Sequence, residues 1–436
     1  MNIGFFTDTY RPGYSGVETS IDLFKQELER QGHTVYIFAP TDDKRLNTPE
    51  ENEQGIYRLQ SAGQDIFPEF KMTFPVSDKV FKNFGNFDLD IIHSHTPFIM
   101  GFYASFVGFT LNIPVVHTYH TFYEKYSGHS FLSKQKNADR ILMQAIKKIS
   151  LLHPGRCEAI IAPSAKMKTV LEDYGVKNPI NVIPTGIDLK VFNGIDKKSF
   201  RQKKDISPEK QVLIFVGRLG QEKNIKFLIK VTQKLAKINP DILLVIVGAG
   251  PEREKLEAEG TQKNVSQHVK FLGQQSKIEV REAYAGSNIF CFASLTDTQS
   301  LSLLEAAVSG LPIVMLEDKG LTEVMVDGVN GYTIPDNDSE KFADKISKIL
   351  KDDDLRKRMS EASKQIGAQL SIEKQTIKLI AFYHESMKEY FKDSLRTKFK
   401  NKLHKDVDYK KFFNAEKNKK FFKKLGRKTK DLFNKL

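Results

Sequence analysis

The chain has 436 residues, 40% hydrophobic and 28% charged, enough for two or three packed domains and unlike a disordered polymer. Its formal charge of +13 sits at one end: Lys388–Leu436 holds 18 Lys or Arg against 6 Asp or Glu, leaving 49 against 48 in residues 1–387. A near-neutral body with one basic appendage argues against a whole-surface nucleic-acid binder. Cys157 and Cys291 lie far apart in apolar runs, so neither a disulfide framework nor a Cys-x-x-Cys metal site is expected, and a reducing compartment fits. Residues 2–7 lack the charged and apolar regions of a signal peptide. No apolar run approaches the ~20 residues of a membrane-spanning helix. The expectation is a cytoplasmic protein whose membrane contact, if it has one, is peripheral.

Short apolar runs recur along the first half, at Ile3–Thr7, Thr34–Ala39, Asp90–His95, Val115–His120, Ala159–Pro163 and Asn181–Pro184. Most are continuous and bounded by polar turns, as strands buried on both faces of a parallel sheet are. Helices are predicted between them, over Val17–Gln31, with Gly32 at a C-cap position, and over Asn137–Leu152. The polar stretch 187–210 is the candidate interdomain linker. The pattern then restarts with Gln211–Gly217, Ile242–Gly248, Val269–Gly273, Ile289–Ala293, Pro312–Leu316 and Gly331–Pro335, with helices at Ile225–Ile238 and Ser300–Ser309 among those between. Alternating βαβ units predict two doubly wound α/β domains, 1–188 and 189–370. A helix is predicted over 371–392, crossing back to the first domain.

Beyond it the spacing is amphipathic and basic. Phe391, Leu395, Phe399, Leu403 and Val407 recur every fourth residue, with Lys398, Lys400 and Lys402 between them. Phe412 and Phe413, then Lys419, Lys420, Phe421 and Phe422, continue the mixture. Such a segment can lie in a bilayer interface, apolar side among acyl chains and lysines toward anionic headgroups. It can also pack on the body with a solvated lysine face. The paired phenylalanines favour residues 393–436 as a membrane-binding tail. Nucleic-acid binding has no recognisable module behind it. The helix predicted over 137–152 places Ile141, Leu142, Ala145, Ile146 and Ile149 on one face, a packed helix or a second interfacial one. The phenylalanine-rich segment Phe67–Phe84 is open to two readings, an acyl groove or a buried connection.

Three loops carry candidate chemistry. After the first strand, Gly13 and Gly16 precede a helix, a place for a phosphate or simply a turn. In Gly217-Arg218-Leu219-Gly220-Gln221-Glu222-Lys223-Asn224 a planar guanidinium and a point charge lie five residues apart, a pair that suits a diphosphate without a metal. Surface basic pairs are also common. In the third loop Asp297 follows a strand and Glu305 lies about one turn into the next helix. There the carboxylates can take sugar and ribose hydroxyls, and free amides near Ser300 and Leu301 can face a phosphate. An ordinary capped helix is the alternative, although Glu305 sits in an apolar helix, where a carboxylate needs a partner. Five of the ten histidines fall between His93 and His129. His93 and His95 share a strand face, and His120 ends a strand at the cleft. Substrate hydrogen bonding suits them better than a zinc site, for which no cysteine or His-Glu-x-x-His pattern is present.

Taken together, the Gly16 loop, Gly217-Arg218 with Lys223-Asn224, Gly248-Ala249-Gly250-Pro251, Glu305 with Ser309-Gly310-Leu311-Pro312, and Asp327-Gly328-Val329-Asn330-Gly331-Tyr332 resemble a retaining glycosyltransferase of family 4. That family has the GT-B fold, two Rossmann-like domains facing a cleft, and the likeness covers about residues 1–390. Phe6-Thr7-Asp8-Thr9-Tyr10, His93-Ser94-His95-Thr96-Pro97-Phe98, His117-Thr118-Tyr119-His120-Thr121-Phe122-Tyr123-Glu124-Lys125-Tyr126 and Ile183-Pro184-Thr185-Gly186-Ile187-Asp188 are similar to bacterial diacylglycerol glucosyltransferases. The resemblance implies that Arg218 and Lys223 hold the donor diphosphate, Glu305 the ribose, Gly16 the β-phosphate, and His120 the donor sugar. Asp297 would take the sugar 3- and 4-hydroxyls, where the family usually has glutamate, and Ser300 stands where glycine is usual. It also implies UDP-glucose as donor substrate and no metal or other cofactor. The acceptor would be 1,2-diacylglycerol at the inner membrane face, for glycolipid and lipoteichoic acid anchor synthesis. Another sugar, or a glycosyl-diacylglycerol, phosphatidylinositol or polyprenyl-linked acceptor, stays open.

Overall fold

The computed structural model describes residues 1–10, 16–41, 55–60, 65–67, 70–71, 84–122, 144, 147–294, 297–318, 321, 323–335 and 337–392. The first sheet is built from β1 (Asn2–Phe6), β2 (Thr34–Thr41), β3 (Ile56–Gln60), β6 (Ile91–Ser94), β7 (Val115–Thr118), β8 (Ala159–Ala162) and β9 (Ile180–Val182). The strands lie in the order β3-β2-β1-β6-β7-β8-β9 and every pair is parallel. A small antiparallel pair, β4 (Asp65–Phe67) with β5 (Phe70–Lys71), stands apart. The second sheet has β10 (Gln211–Val216), β11 (Ile242–Val247), β12 (Val269–Gly273), β13 (Ile289–Phe292), β14 (Ile313–Leu316) and β15 (Gly331–Ile334). Its order is β12-β11-β10-β13-β14-β15, again parallel throughout. Strand order reverses beside β1 in one sheet and beside β10 in the other. Each reversal opens a crevice at the carboxyl ends of the strands, where doubly wound sheets bind ligands.

Helices α1 (Gly16–Arg30), α2 (Ile99–Leu111) and α3 (Ala165–Asp173) belong to the first sheet. The second carries α4 (Lys197–Lys203), α5 (Ile225–Ala236), α6 (Arg253–Gln262), α7 (Lys277–Ala285), α8 (Leu301–Val308), α9 (Ser339–Lys351) and α10 (Asp353–Gln369). Both faces of the second sheet are covered. Leu213 and Phe215 of β10 pack among Ile225, Leu228 and Phe342 on one side. Val212 and Ile214 pack among Phe290, Phe292 and Leu304 on the other. Successive side chains of one strand thus feed two cores, and the run reads as continuously apolar.

The last described helix, α11 (Ile372–Lys392), returns to the first sheet. Its Ile372, Leu379, Phe382 and Tyr383 share a core with Ile3, Phe5, Ile37 and Phe24. The chain therefore crosses between the two units twice, and the crossings are bonded to each other. Ile187 N–H donates to Leu370 O at 3.0 Å, and Ile372 N–H donates to Ile187 O at 2.8 Å. The stretch 187–210 is only partly a linker. Asp196 caps α4, whose Phe200 is buried in the second unit with Ile206, because these two apolar side chains have a core to enter. The basic tail 393–436, with Lys398, Lys400, Lys402, Phe412, Phe413, Lys419, Lys420, Phe421 and Phe422, lies outside the described residues, as do residues 68–69, 72–83, 137–143 and 145–146 of the other two candidate lipid-facing segments.

Two glycine motifs follow from one close approach. The loops after β10 and β11 press backbone to backbone, with Leu219 N–H donating to Ala249 O at 2.9 Å and Glu252 N–H to Leu219 O at 3.0 Å. Gly248 has φ +137°, and a Cβ there would lie 1.9 Å from Gly217 O. Gly248→Ala is expected to lower unfolding stability by about 2 kcal/mol or more, from strain and displaced backbone. Urea denaturation reads this directly, and an unchanged midpoint would mean that the loops have room to part.

Candidate active site

The carboxyl ends of β10 and β13 flank the crevice of the second sheet, and both candidate loops of that unit lie there. Lys223, at the end of a single 3₁₀ turn over Gln221–Lys223, reaches Asp297. Its Nζ lies 2.6 Å from Asp297 Oδ1, with the two side chains 18% and 16% exposed. Residues 74 apart in sequence are thus one ion pair. Asp297 Oδ2 is buried and has no hydrogen-bond partner among the described residues. Arg218 pairs with Glu222 at 3.0 Å, and Ser294 Oγ donates to Glu222 O at 3.2 Å, tying the lysine's turn to the loop after β13. Each of the two cations expected to hold a diphosphate rests on a carboxylate.

Helix α8 starts at this crevice. Ser300 is its N-cap, accepting from Leu303 N–H at 3.3 Å, and the amide of Leu301 opens the first turn. Ser300 is therefore both a cap and a rim residue, and its hydroxyl compensates one orphan amide. Glu305 lies one turn on. The Tyr284 hydroxyl of α7 stands 3.1 Å from Glu305 Oε2, which answers the need for a partner. Burial pushes the Glu305 carboxyl up to about 7, a rise moderated by Tyr284 and by the charges of Arg281 and Lys277.

The first sheet contributes residues that the sequence did not single out. Lys166, in the first turn of α3, binds Asp318 at 2.7 and 2.5 Å and also donates to Asp297 O at 3.3 Å. Asp318, just beyond β14, is 3% exposed. Ser164 Oγ donates to Thr298 O at 2.5 Å, and Thr298 Oγ1 donates to His120 O at 2.7 Å. The Gln299 amide brackets Thr185, donating to its O and accepting from its N–H, both at 2.8 Å. The loop 297–299 is thus held by the opposite unit. A signal for Lys166 existed: a lysine in the first turn opposes the helix dipole and needs an acid nearby.

His120 follows β7 at this junction. Its Nε2 is 3.1 Å from His95 Nδ1, and the two rings stack. His93 joins Tyr383 Oη at 2.6 Å and Thr118 Oγ1 at 2.7 Å. Its ring lies 4.1 Å from that of His95, as the strand alternation predicts. Burial pushes His120 down to about 3 and His93, His95 and His117 well below the usual range, so these imidazoles are neutral hydrogen-bonding groups at pH 7. Gly16 opens α1, and among the described residues no atom lies within 4 Å of where a Cβ would stand. Among the described residues no group of three or more His, Cys, Asp or Glu is arranged to hold a metal. Asp8 spans the start of α2, accepting from Met100 N–H at 3.0 Å and Thr96 Oγ1 at 2.5 Å, and burial raises its carboxyl to about 6.

Two parallel doubly wound units joined by a double crossing, with a cation-bearing crevice in the second, define a GT-B glycosyltransferase. Residues 14–191 match the description "Glycosyltransferase Family 4", and residues 196–366 match "Glycosyl transferases group 1". The alpha-monoglucosyldiacylglycerol synthase of Streptococcus pneumoniae (strain ATCC BAA-255 / R6) is 33% identical over 336 residues, 76% of this chain and 74% of the relative. That of Acholeplasma laidlawii is 29% identical over 78% of this chain and 86% of the relative. The crystal structure of Anabaena HepE in complex with UDP superposes with a TM-score of 0.70 at 18% identity, covering 88% of this chain and 100% of that one. The chain belongs to the family 4 glycosyltransferases and is an enzyme of that class.

The raised Glu305 carboxyl makes stability depend on pH. The unfolded carboxyl loses its proton near 4.5, whereas the folded one holds it to about 7. Folding is therefore favoured below pH 4.5, and that contribution is lost as pH rises through 7. Glu305→Gln should flatten this fall. Denaturation at pH 5 and pH 8 should show wild type losing more stability than the variant between the two.

Proposed function

We propose that this enzyme transfers glucose from UDP-glucose to the free hydroxyl of 1,2-diacylglycerol, with retention, at the cytoplasmic face of a membrane. The observation that carries the reading of the donor site is the Lys223–Asp297 pair beside the first turn of α8. It brings a cation, a carboxylate whose buried second oxygen has no partner among the described residues, and helix amides to one crevice. The names of the two synthases support the lipid acceptor.

The chemistry is chiefly electrostatic. As the glycosidic bond breaks, positive charge develops on the sugar and negative charge on the departing diphosphate. Arg218, Lys223 and the amides at Ser300 and Leu301 would oppose that negative charge without reorganising at the moment of reaction. Donor phosphate would draw Lys223 off Asp297, leaving that carboxylate to accept sugar hydroxyls. Glu305 would accept from the ribose, and neutral His120 would contact the sugar. Retention would follow from attack on the face that the diphosphate leaves, with phosphate oxygen taking the acceptor's proton.

Exposed apolar side chains and the basic tail support work at a bilayer, and no helix among the described residues is long and apolar enough to cross a membrane. Phe109 of α2 and Ile149 and Leu152 further on are exposed large apolar side chains, and Lys148 and Arg156 are exposed cations near the latter two in sequence. The basic tail would add about 1 kcal/mol for each lysine near an anionic surface.

Incubation with labelled UDP-glucose, UDP-galactose and GDP-mannose, each with diacylglycerol vesicles, tests the proposal. Glucosyl-diacylglycerol should form from UDP-glucose alone; a different product would reassign the donor. Lys223→Ala should lower kcat by roughly 100-fold or more, and Asp297→Ala should do likewise, with circular dichroism unchanged. Normal turnover in either variant would sink the site assignment. Deletion of residues 393–436 should abolish flotation with phosphatidylglycerol vesicles, and retained flotation would count against the tail as the anchor.

A further inference from the structure

The second unit holds a cavity of 540 Å³ at the far end of α8 from the donor site. Ser300 and Leu301 mark the donor end of that helix and Ser309 marks this one, about 12 Å away at 1.5 Å per residue. The walls come from the chain just after the first crossing, from α7, from the turn after α8 and from α10. Five cations line it, namely Lys197, Arg281, Arg356, Lys357 and Lys364, and no carboxylate does.

Their arrangement is structured. Arg356 and Lys364 stand two turns apart on one face of α10, with Ser360 between them donating to Gly310 O at 2.6 Å. Gly310 has φ +78°, and a Cβ there would lie 2.5 Å from Lys364 Cε, so the lysine stem is laid across the glycine. Arg281 donates to Val191 O at 3.1 Å and covers the Phe192 ring, joining α7 to the crossing segment. Asp353 and Asp354 balance Arg356 and Lys357 from the solvent side. Lys197 and Lys364 have no ion pair or hydrogen bond among the described residues. Ser309 Oγ, on the wall, is buried without a hydrogen-bond partner there. Gathering like charges around a concave surface raises the local potential unless an anion neutralises it.

We infer that this cavity binds a phosphate-bearing anion, separately from the donor. Phosphate oxygens suit it because they accept from several cations at once and from a hydroxyl such as that of Ser309. Bound there, the anion would bridge α10, α7 and the crossing segment.

The test uses the full chain with its donor site saturated by UDP. Inorganic pyrophosphate titrated by calorimetry should then show one further binding event. Lys197→Ala/Lys364→Ala removes two exposed, unpaired lysines and should weaken that event at least about tenfold, the effect of losing a charged hydrogen bond. Lys223→Ala should leave it unchanged. A second arm separates the sources of the phosphate: flotation with phosphatidylglycerol against phosphatidylcholine vesicles. A fall in phosphatidylglycerol binding in the double variant assigns a lipid headgroup; unchanged flotation assigns a soluble anion. No event at UDP saturation, or one that survives the double substitution, overturns the site.

Discussion

The two backbone hydrogen bonds that join Ile187 to Leu370 and Ile372 are the constraint on which the site depends. A chain that crossed once would leave the two sheets free to take many orientations. Crossing twice, with both passages bonded at one point, restricts how the two units can sit. Gly186 makes this contact possible, since a Cβ there would lie 2.4 Å from Ile372 Cα. There the carboxyl edges of both sheets meet, and β13 and β14 bring their loops against α3 and the end of β7. The crevice chemistry is then a consequence of parallel topology, because every strand delivers its following loop to the same edge.

This edge holds its charges in pairs. Lys223 rests on Asp297, Arg218 on Glu222 and Lys166 on Asp318. Each pair sits partly or largely away from water, where an uncompensated ion is expensive. Glu305 follows a different course: burial raises its carboxyl to about 7, and the Tyr284 hydroxyl and the more distant charges of Arg281 and Lys277 only moderate that rise. The same crevice therefore contains carboxylates paired with cations and a carboxyl poised near neutrality. The difference comes from burial without a cation in contact.

Much of this was legible in the sequence because buried parallel strands write themselves as unbroken apolar runs. All twelve runs read as strands are strands. What escaped has a physical reason in each instance. β3, Ile-Tyr-Arg-Leu-Gln, lies at the edge of its sheet and mixes polar with apolar positions. Helix α2 has no polar face from which a helical period could be seen, since Met100, Ala104, Val107 and Gly108 are buried and phenylalanines fill its other side. α4 looked like linker because only Phe200 in its seven residues is buried. At the crevice, Arg218, Lys223, Asp297 and Glu305 were singled out from their places after strands. Tyr284, the partner of Glu305, was not, because the two meet only through tertiary packing, and the same holds for Lys166 with Asp318. The basic cavity was invisible for the same reason: its five cations come from three separate stretches of chain.

The position of Asp297 shows how far the two units are coupled. Where the family resemblance places a glutamate, this chain has a side chain one methylene shorter, so the carboxylate's reach depends more heavily on where its backbone lies. That backbone is not set by the second sheet alone. Lys166 takes the Asp297 carbonyl, Ser164 takes the Thr298 carbonyl, Thr298 in turn grips His120, and Gln299 brackets Thr185. All four partners belong to the opposite unit. The carboxylate is therefore carried on backbone bonded to the first unit, whereas Lys223 stands on the turn after β10. The ion pair at the centre of the crevice is in this way coupled to the opposite unit, although both of its residues lie in one.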